Sequence, residues 1–549
     1  MRWFFKSDFR SLRLLNATQF LGALNDNIFK LLIIYLLINV KGAEAAPGIL
    51  ALVGAIFVIP FLLFSSGSGV MADRISKRTI IVTTKILELV FVVLGLFMVI
   101  FKSEWGLYVT LFFLAGQAAI FGPSKYGIIP ELVEAKGVSK ANGSITSLTY
   151  LAIILGTFLA SFLTDITNKS FITVSCFCIF IAICGLFVSL GIRKTAPQGS
   201  TKKVNPFFLY EVYQALKFSW TIPHLLPTIL GSAFFLFIGA FTQLNIIPFA
   251  MQALNLSEVG GGYLFLPTAV GIAIGAVLAG QVSKDRVEPG MSCICGLSIG
   301  ILFLLLWIFA THLTIVFIIL TLLGIFGGAF LIPFDAFIQL NSPDEKRGQI
   351  IATSSFLSFV GVLMASFFLF AISEELGFSA ASGFAFMGIF TLLATLILTG
   401  RLSGLFFPFF ARKIIKRFRT MEVQQPLPDP SQLLVLESNS WWDLLLLFGV
   451  FPRLVILLPR GSFPWINGWF ESFVLITSGE EKVVEEFLEK ETQICLFLRK
   501  QEEPQKMVES YLPHLEKNGL DLIYARSEQV ESQKRFLFWQ KKHMILSFK

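Results

Sequence analysis

The chain has 549 residues, of which 55% are hydrophobic and only 15% charged. Soluble globular proteins carry about 25% charged residues, and many apolar runs here exceed the roughly 18 residues that mark a membrane span, which excludes a soluble protein with a rich core. The net charge of +8 is spread over loops and termini, so it reflects membrane topology and implies no nucleic acid partner.

The first run follows Arg2, Lys6, Arg10 and Arg13, lacks a small-residue cleavage box and continues as a full span, so it is expected to stay as an anchor. Hydropathy predicts helices near 14–39, 47–71, 79–101, 106–130, 145–164, 171–191, 223–252, 258–282, 291–310, 313–339, 348–373 and 382–409. Alternate loops carry Arg74, Lys77 and Arg78, then Lys136 and Lys140, Arg193 and Lys194, Lys284 and Arg286, Lys346 and Arg347, and a basic stretch from Arg412 to Arg419. The opposite loops carry only Lys41, Lys102 and Lys169. This asymmetry predicts a multi-pass protein with both termini in the cytoplasm.

The longest connection, 192–222, separates a first six-helix half (1–191) from a second (223–410). An echo supports a repeat. Gly69-Val70-Met71-Ala72-Asp73-Arg74 with Arg78 follows the second helix, and Gly280 with Asp285 and Arg286 follows the eighth, with one extra residue before the acid. These six residues, Gly69, Asp73, Arg74, Arg78, Asp285 and Arg286, are candidate gating groups. Gly271 with Gly275, and Gly324 with Gly328, have the small-xxx-small spacing of close helix packing. Pro60, Pro130, Pro248, Pro267 and Pro333 can each bend a span. The six cysteines form neither a disulfide nor a metal pattern, and no cofactor is implied.

Ionisable groups inside apolar helices cost about 2.5–3.5 kcal/mol each at the bilayer centre, so they mark a cavity or a partner. The first helix holds Asn25-Asp26-Asn27, with Lys30 one turn on. Two readings stand: a neutralised Asp26–Lys30 pair, or an acid lining a cavity. In the fourth helix Gly122, Pro123 and Gly127 surround Lys125 and Tyr126, which predicts an irregular helix there. Lys125 suits a phosphate contact; the rival is a lysine snorkelling to the membrane edge. Lys85 and Glu88 read as a mostly structural pair near the cytoplasmic end of the third helix, and Asp335, Gln339, Gln243 and Asn245 as further cavity candidates.

Four segments carry a family resemblance: Gln19 to Asn27, Ser124 to Ile128, Ser139 to Gly143, and Ile332 to Gln339. On them, residues 10–410 resemble the bacterial lysophospholipid transporters of the major facilitator superfamily. The resemblance implies an all-α major facilitator fold with twelve transmembrane helices in 6+6 halves. It implies import of lysophospholipid toward the cytoplasmic leaflet of a bacterial inner membrane, for re-acylation by a separate enzyme. The family's buried acid would be Asp26 and its helix-four lysine Lys125. A basic residue that some members carry in helix seven falls near Gln243 here, which leaves the headgroup contacts open. An exporter of another small amphipathic molecule is the alternative within the same fold.

Past residue 410 the composition changes. Residues 411–430 form a basic linker containing Pro426 and Pro428. Residues 431–549 alternate short apolar runs (433–436, 453–458, 494–498) with charged stretches such as 480–491, which predicts a small cytoplasmic α/β domain. This tail resembles a glycerolipid acyltransferase domain, whose signature is His-x4-Asp. Asp443 fits the acid, but Ser438 stands where the histidine belongs, and Phe497-Leu498-Arg499-Lys500 lacks the acid of a later family block. Serine cannot act as that base at neutral pH, so a membrane-attached enzyme is the weakest reading. The tail is expected to be inactive and to contact a separate acylating enzyme or brace the transporter.

Overall fold

The structure, a computed structural model, describes residues 7–41, 46–197, 199–200, 208–256, 263–283 and 287–412, and in the tail seven strands and residues 447–448. Lipid offers no hydrogen bonds to the backbone, so each apolar run closes its bonds internally as a helix. The first half comprises α1 (Ser7–Lys41), α2 (Ala46–Arg74), α3 (Lys77–Ile100), α4 (Glu104–Gly127), a single turn α5 (Ile129–Leu132), α6 (Val138–Ile166) and α7 (Phe171–Leu190). A helix in the connection, α8 (Phe208–Trp220), leads to the second half. That half holds α9 (Leu225–Leu254), α10 (Phe265–Val282), α11 (Pro289–Ile308), α12 (Leu313–Asn341), α13 (Arg347–Phe370) and α14 (Ala380–Arg401), and the short α15 (Ser403–Phe410) follows.

Among the described residues eleven helices are long and apolar enough to cross a bilayer. The twelfth span is α2, whose segments Leu52–Ser65 and Gly67–Arg74 meet at 49°. The break falls at the Ser/Gly run and not at Pro60, because Ser65 turns its hydroxyl back onto the Phe61 carbonyl and Ser68 donates to the Ser65 carbonyl at 2.6 Å. A second expectation shifts in the same way. α4 runs unbroken through Pro123 to Gly127, so Lys125 sits in its last turn and the irregularity comes at Ile128, between α4 and α5. Local chemistry sets the span boundaries: Ser103 caps the start of α4 by accepting from the Gly106 amide, and Asn255, in the left-handed region, closes α9.

The chain forms two compact units, residues 1–287 with 295–392, and residues 288–294 with 393–549. In the first, α1 packs on α6 and α7, α2 on α4, and α3 on α4 and α7, while α9 meets α12 and α13. Helix association in lipid depends on van der Waals fit and small residues. The two glycine pairs read from the sequence face each other across α10 and α12: a Cβ on Gly275 would strike the Ile325 carbonyl, and one on Gly324 the Thr268 carbonyl. The halves meet where α2 lies on α13 and α6 on α10.

In the second unit Glu288 accepts both of its hydrogen bonds from Arg412, at 3.0 and 3.2 Å, and Phe407 stacks on Phe448 with ring centroids 5.1 Å apart. Its strands are β1 (Arg419–Val423), β2 (Gln432–Glu437), β3 (Leu454–Pro459), β4 (Phe473–Ile476), β5 (Gln493–Leu498), β6 (Asp521–Phe536) and β7 (Trp539–Phe548). They form one sheet in the order β1-β7-β6-β2-β5-β3-β4. All pairs are parallel except the β6–β7 hairpin, and Leu434 lies opposite both Cys495 and Ile523. The three apolar runs picked out above are β2, β3 and β5. The stretch 480–491, Ser438, Asp443, Asp285 and Arg286 lie outside the described residues.

Candidate binding cavity

A cavity of about 420 Å³ lies between the halves. α1 contributes Gln19, Asp26 and Asn27, α3 Lys85, and α4 Gln117, Lys125 and Tyr126. The second half answers with Ser232 from α9, Asp335 from α12, and Ser354 and Ser358 from α13. Around this polar set stand Phe57, Phe61, Phe121 and Phe359, and Phe61 stacks on Phe359 across the halves at 4.3 Å between centroids.

The polar triplet of α1 divides by helical rotation. Asn25 is buried and donates to Glu88 at 3.1 Å, whereas Asp26 and Asn27 line the cavity. Oδ1 of Asp26 is buried with no hydrogen-bond partner, an arrangement that costs free energy unless a ligand or water answers it. The spacing allows an Asp26–Lys30 pair, but Lys30 places its ammonium over the Phe57 ring, 5.2 Å from the centroid. The cavity-lining reading of Asp26 therefore fits the geometry better than the neutralised anchor.

Lys125 is 8% exposed, and its ammonium lies 4.4 Å from the Tyr126 ring and 5.9 Å from that of Phe121. It is packed inside the protein rather than snorkelling. Lys85 and Glu88 form the buried ion pair read from their spacing, at 2.5 Å, but Lys85 also lines the cavity. Asp335 accepts from the Ser232 hydroxyl at 3.1 Å. Gln243 is exposed and is not part of this lining; it stands three turns, roughly 16 Å, beyond Ser232 on the same face of α9. Sequence reasoning missed Gln19, Gln117, Ser232, Ser354 and Ser358, single small or neutral groups that hydropathy does not distinguish from packing residues.

One end of the cavity is shut. Asp73 is buried and its carboxylate accepts from the Gly348 amide at 2.6 Å and the Gln349 amide at 3.0 Å, so α2 is tied to the first turn of α13. Gly69 is required there: a Cβ on it would lie 2.7 Å from the Gly348 carbonyl oxygen. Alongside, Asn142 of α6 and Gln339 of α12 exchange two buried hydrogen bonds of 3.0 and 2.8 Å. Arg74 is exposed, and Arg78 donates to the Leu190 carbonyl at 2.9 Å. Lys77, which sequence reasoning left as a loop charge, is buried and paired with Glu131 at 2.5 Å.

Two six-helix halves around a central polar cavity, joined at one end by hydrogen bonds from α2 to α13 and from α6 to α12, are the architecture of a membrane transporter of the alternating-access class. Residues 15–366 match the model of the Major Facilitator Superfamily, and the chain belongs to that superfamily. It is a transporter and not an enzyme. The lysophospholipid transporter LplT of Klebsiella pneumoniae is 27% identical over 394 residues, covering 70% of this chain and 94% of its own. The protein of the same name from Photorhabdus laumondii is 26% identical over 336 residues, covering 60% and 80%. Among solved structures, the human organic anion transporter MFSD10 covers 72% of this chain and all of its own with a TM-score of 0.60 at 13% identity. The Escherichia coli fucose:proton symporter FucP covers 72% and 99% with a TM-score of 0.59 at 14% identity. These two share the fold.

Proposed function

We propose that the chain moves lysophospholipid across a bacterial inner membrane toward the cytoplasmic leaflet, where a separate enzyme re-acylates it. The observation that carries this reading is the pairing, in one cavity, of the Lys125 ammonium and other polar groups with a set of phenylalanine side chains. Lys125 suits the phosphate, while Asp26, Asn27, Tyr126 and Asp335 offer the remaining polar contacts. The single acyl chain lies against Phe57, Phe61 and Phe359. One chain anchors a lipid only marginally, which makes it easier to extract than a two-chain lipid. The loop charges favour both termini, and the tail from 431 to 549, on the cytoplasmic side. The names of the curated relatives support the same cargo. In the cycle, rocking of the halves breaks the Asp73 and Asn142–Gln339 contacts and opens the shut end.

The test is flipping of labelled lysophosphatidylethanolamine, lysophosphatidylglycerol and lysophosphatidylcholine in proteoliposomes, beside a diacyl control. Flipping of at least one lysolipid and not of the diacyl lipid is the expected result. Binding of hydrophobic cations with no lysolipid movement would replace this reading with an exporter.

A further inference from the structure

A second cavity, of about 550 Å³, lies away from the central one, between α8 and the start of α13. The faces of α8 explain it. Val212, Ala215 and Ser219 are buried and pack the helix down. Leu209, Tyr213 and Trp220 are 61%, 58% and 74% exposed, and at 100° per residue they fall within about 40° of one another. Between these faces, Tyr210, Gln214 and Lys217 look into the cavity, and Lys346 closes it from the other side. The Lys346 ammonium stands 3.6 Å from the Phe218 ring centroid, which fixes the cation while leaving its donors available. Glu211, also in the wall, is 6% exposed under the helix. The Gly348 and Gln349 amides at the start of α13 are already taken by Asp73, so the lysines supply the attraction.

We infer that this cavity is a resident site for the phosphate headgroup of an anionic bilayer phospholipid, distinct from the transported cargo. Three observations agree on a lipid. α8 joins the end of α7 to the start of α9, so it lies at a membrane surface. Its exposed stripe of Leu, Tyr and Trp is the composition of a helix lying in the interface. Lys217 sits beside that stripe, where a headgroup lies when its chains enter the bilayer, and Lys346 faces it across the cavity. Because Gln349 and Ile350 form the far wall, a lipid held there ties α8 to the same turn of α13 that receives Asp73, and so favours the latched state.

The experiment is native mass spectrometry of the full chain with added diacyl phosphatidylglycerol, diacyl phosphatidylethanolamine, lysophosphatidylglycerol or inorganic phosphate. Wild type should retain phosphatidylglycerol in preference to phosphatidylethanolamine. Lys217→Gln with Lys346→Gln should weaken that retention roughly tenfold to thirtyfold, at about 1 kcal/mol for each lysine near a membrane surface. Lys217→Arg with Lys346→Arg should restore it. Should the glutamine variant fail to fold, photoactivatable phosphatidylglycerol must still label residues 208–221 of wild type. Equal retention by wild type and the glutamine variant, or no labelling there, overturns the site. Full displacement by inorganic phosphate would make it a free-anion site, and full displacement by the lysolipid would merge it with the cargo. The inference depends on the superfamily fold and not on the cargo, so a protein that flips no lysolipid should still retain phosphatidylglycerol.

Discussion

Replacing Asp73 by Ala removes two charge-assisted hydrogen bonds, of 2.6 and 3.0 Å, that join the halves. It also leaves the Gly348 and Gln349 amides without that acceptor. Hydrogen bonds to charged groups contribute about 1.5–3 kcal/mol each, and a carboxylate at a helix N-terminus adds about 0.3–1 kcal/mol. Those amides regain water once the end opens, so the lower bound applies, about 3 kcal/mol against the latched state. That corresponds to a shift of roughly a hundredfold in the ratio of latched to open molecules. Spin labels at Ala135→Cys and Glu345→Cys report the distance between loops of opposite halves. The distribution should move to longer distances in Asp73→Ala, with Asp73→Asn in between because the amide keeps one acceptor. Identical distributions in all three proteins would show that Asp73 does not hold the latch.

Asp26→Asn and Lys125→Ala should each lower lysolipid flipping by tenfold or more, about 1.4 kcal/mol, at matched protein content in the bilayer; wild-type rates would remove both from the mechanism. Asn142→Leu and Gln339→Leu each strand a buried amide at a cost of about 1–3 kcal/mol, so both should lengthen the same label distance. The double variant should do less than the sum, and simple additivity would mean the pair is not coupled. Lys77→Met should lower thermal stability in detergent by about 1.5–3 kcal/mol, the contribution of the charge-assisted contact it makes with Glu131; Glu131→Gln added to it should recover part of the loss, and an unchanged midpoint for the single variant would refute the pair's role. The full chain incubated with lysolipid and acyl-carrier or coenzyme A donors should form no diacyl product; turnover that is lost in Asp443→Ala would show a catalytic tail.

The spans were legible because lipid demands long apolar runs and because basic residues gather in alternate loops. The interior was legible only where a residue's chemistry is costly in lipid, as with Asp26 and Lys125. Rotation about the helix axis was not. Asn25 and Asp26 are neighbours in sequence and 100° apart on the helix, yet one belongs to the packing against α3 and the other to the cavity. Depth was misjudged for a related reason. Lys85 read as an end-of-helix group, but α3 starts at Lys77, eight residues earlier, which carries Lys85 about 12 Å into the span. The serines of the second half give no signal at all, because a Ser in a helix is equally at home donating to its own preceding turn.

The glycine contact between α10 and α12 has a mechanical consequence. With backbone against side-chain-free backbone, the two helices have no room to slide, so they travel as a single beam during rocking. The α6–α10 contact is equally tight, with Gly143 against the Ala276 carbonyl and Gly280 against Lys140, yet it crosses from one half to the other. A cysteine bridge welded within the beam should leave turnover running. The same bridge from α6 to α10 should freeze the molecule at one point of its stroke, and would supply a trapped state for capturing cargo.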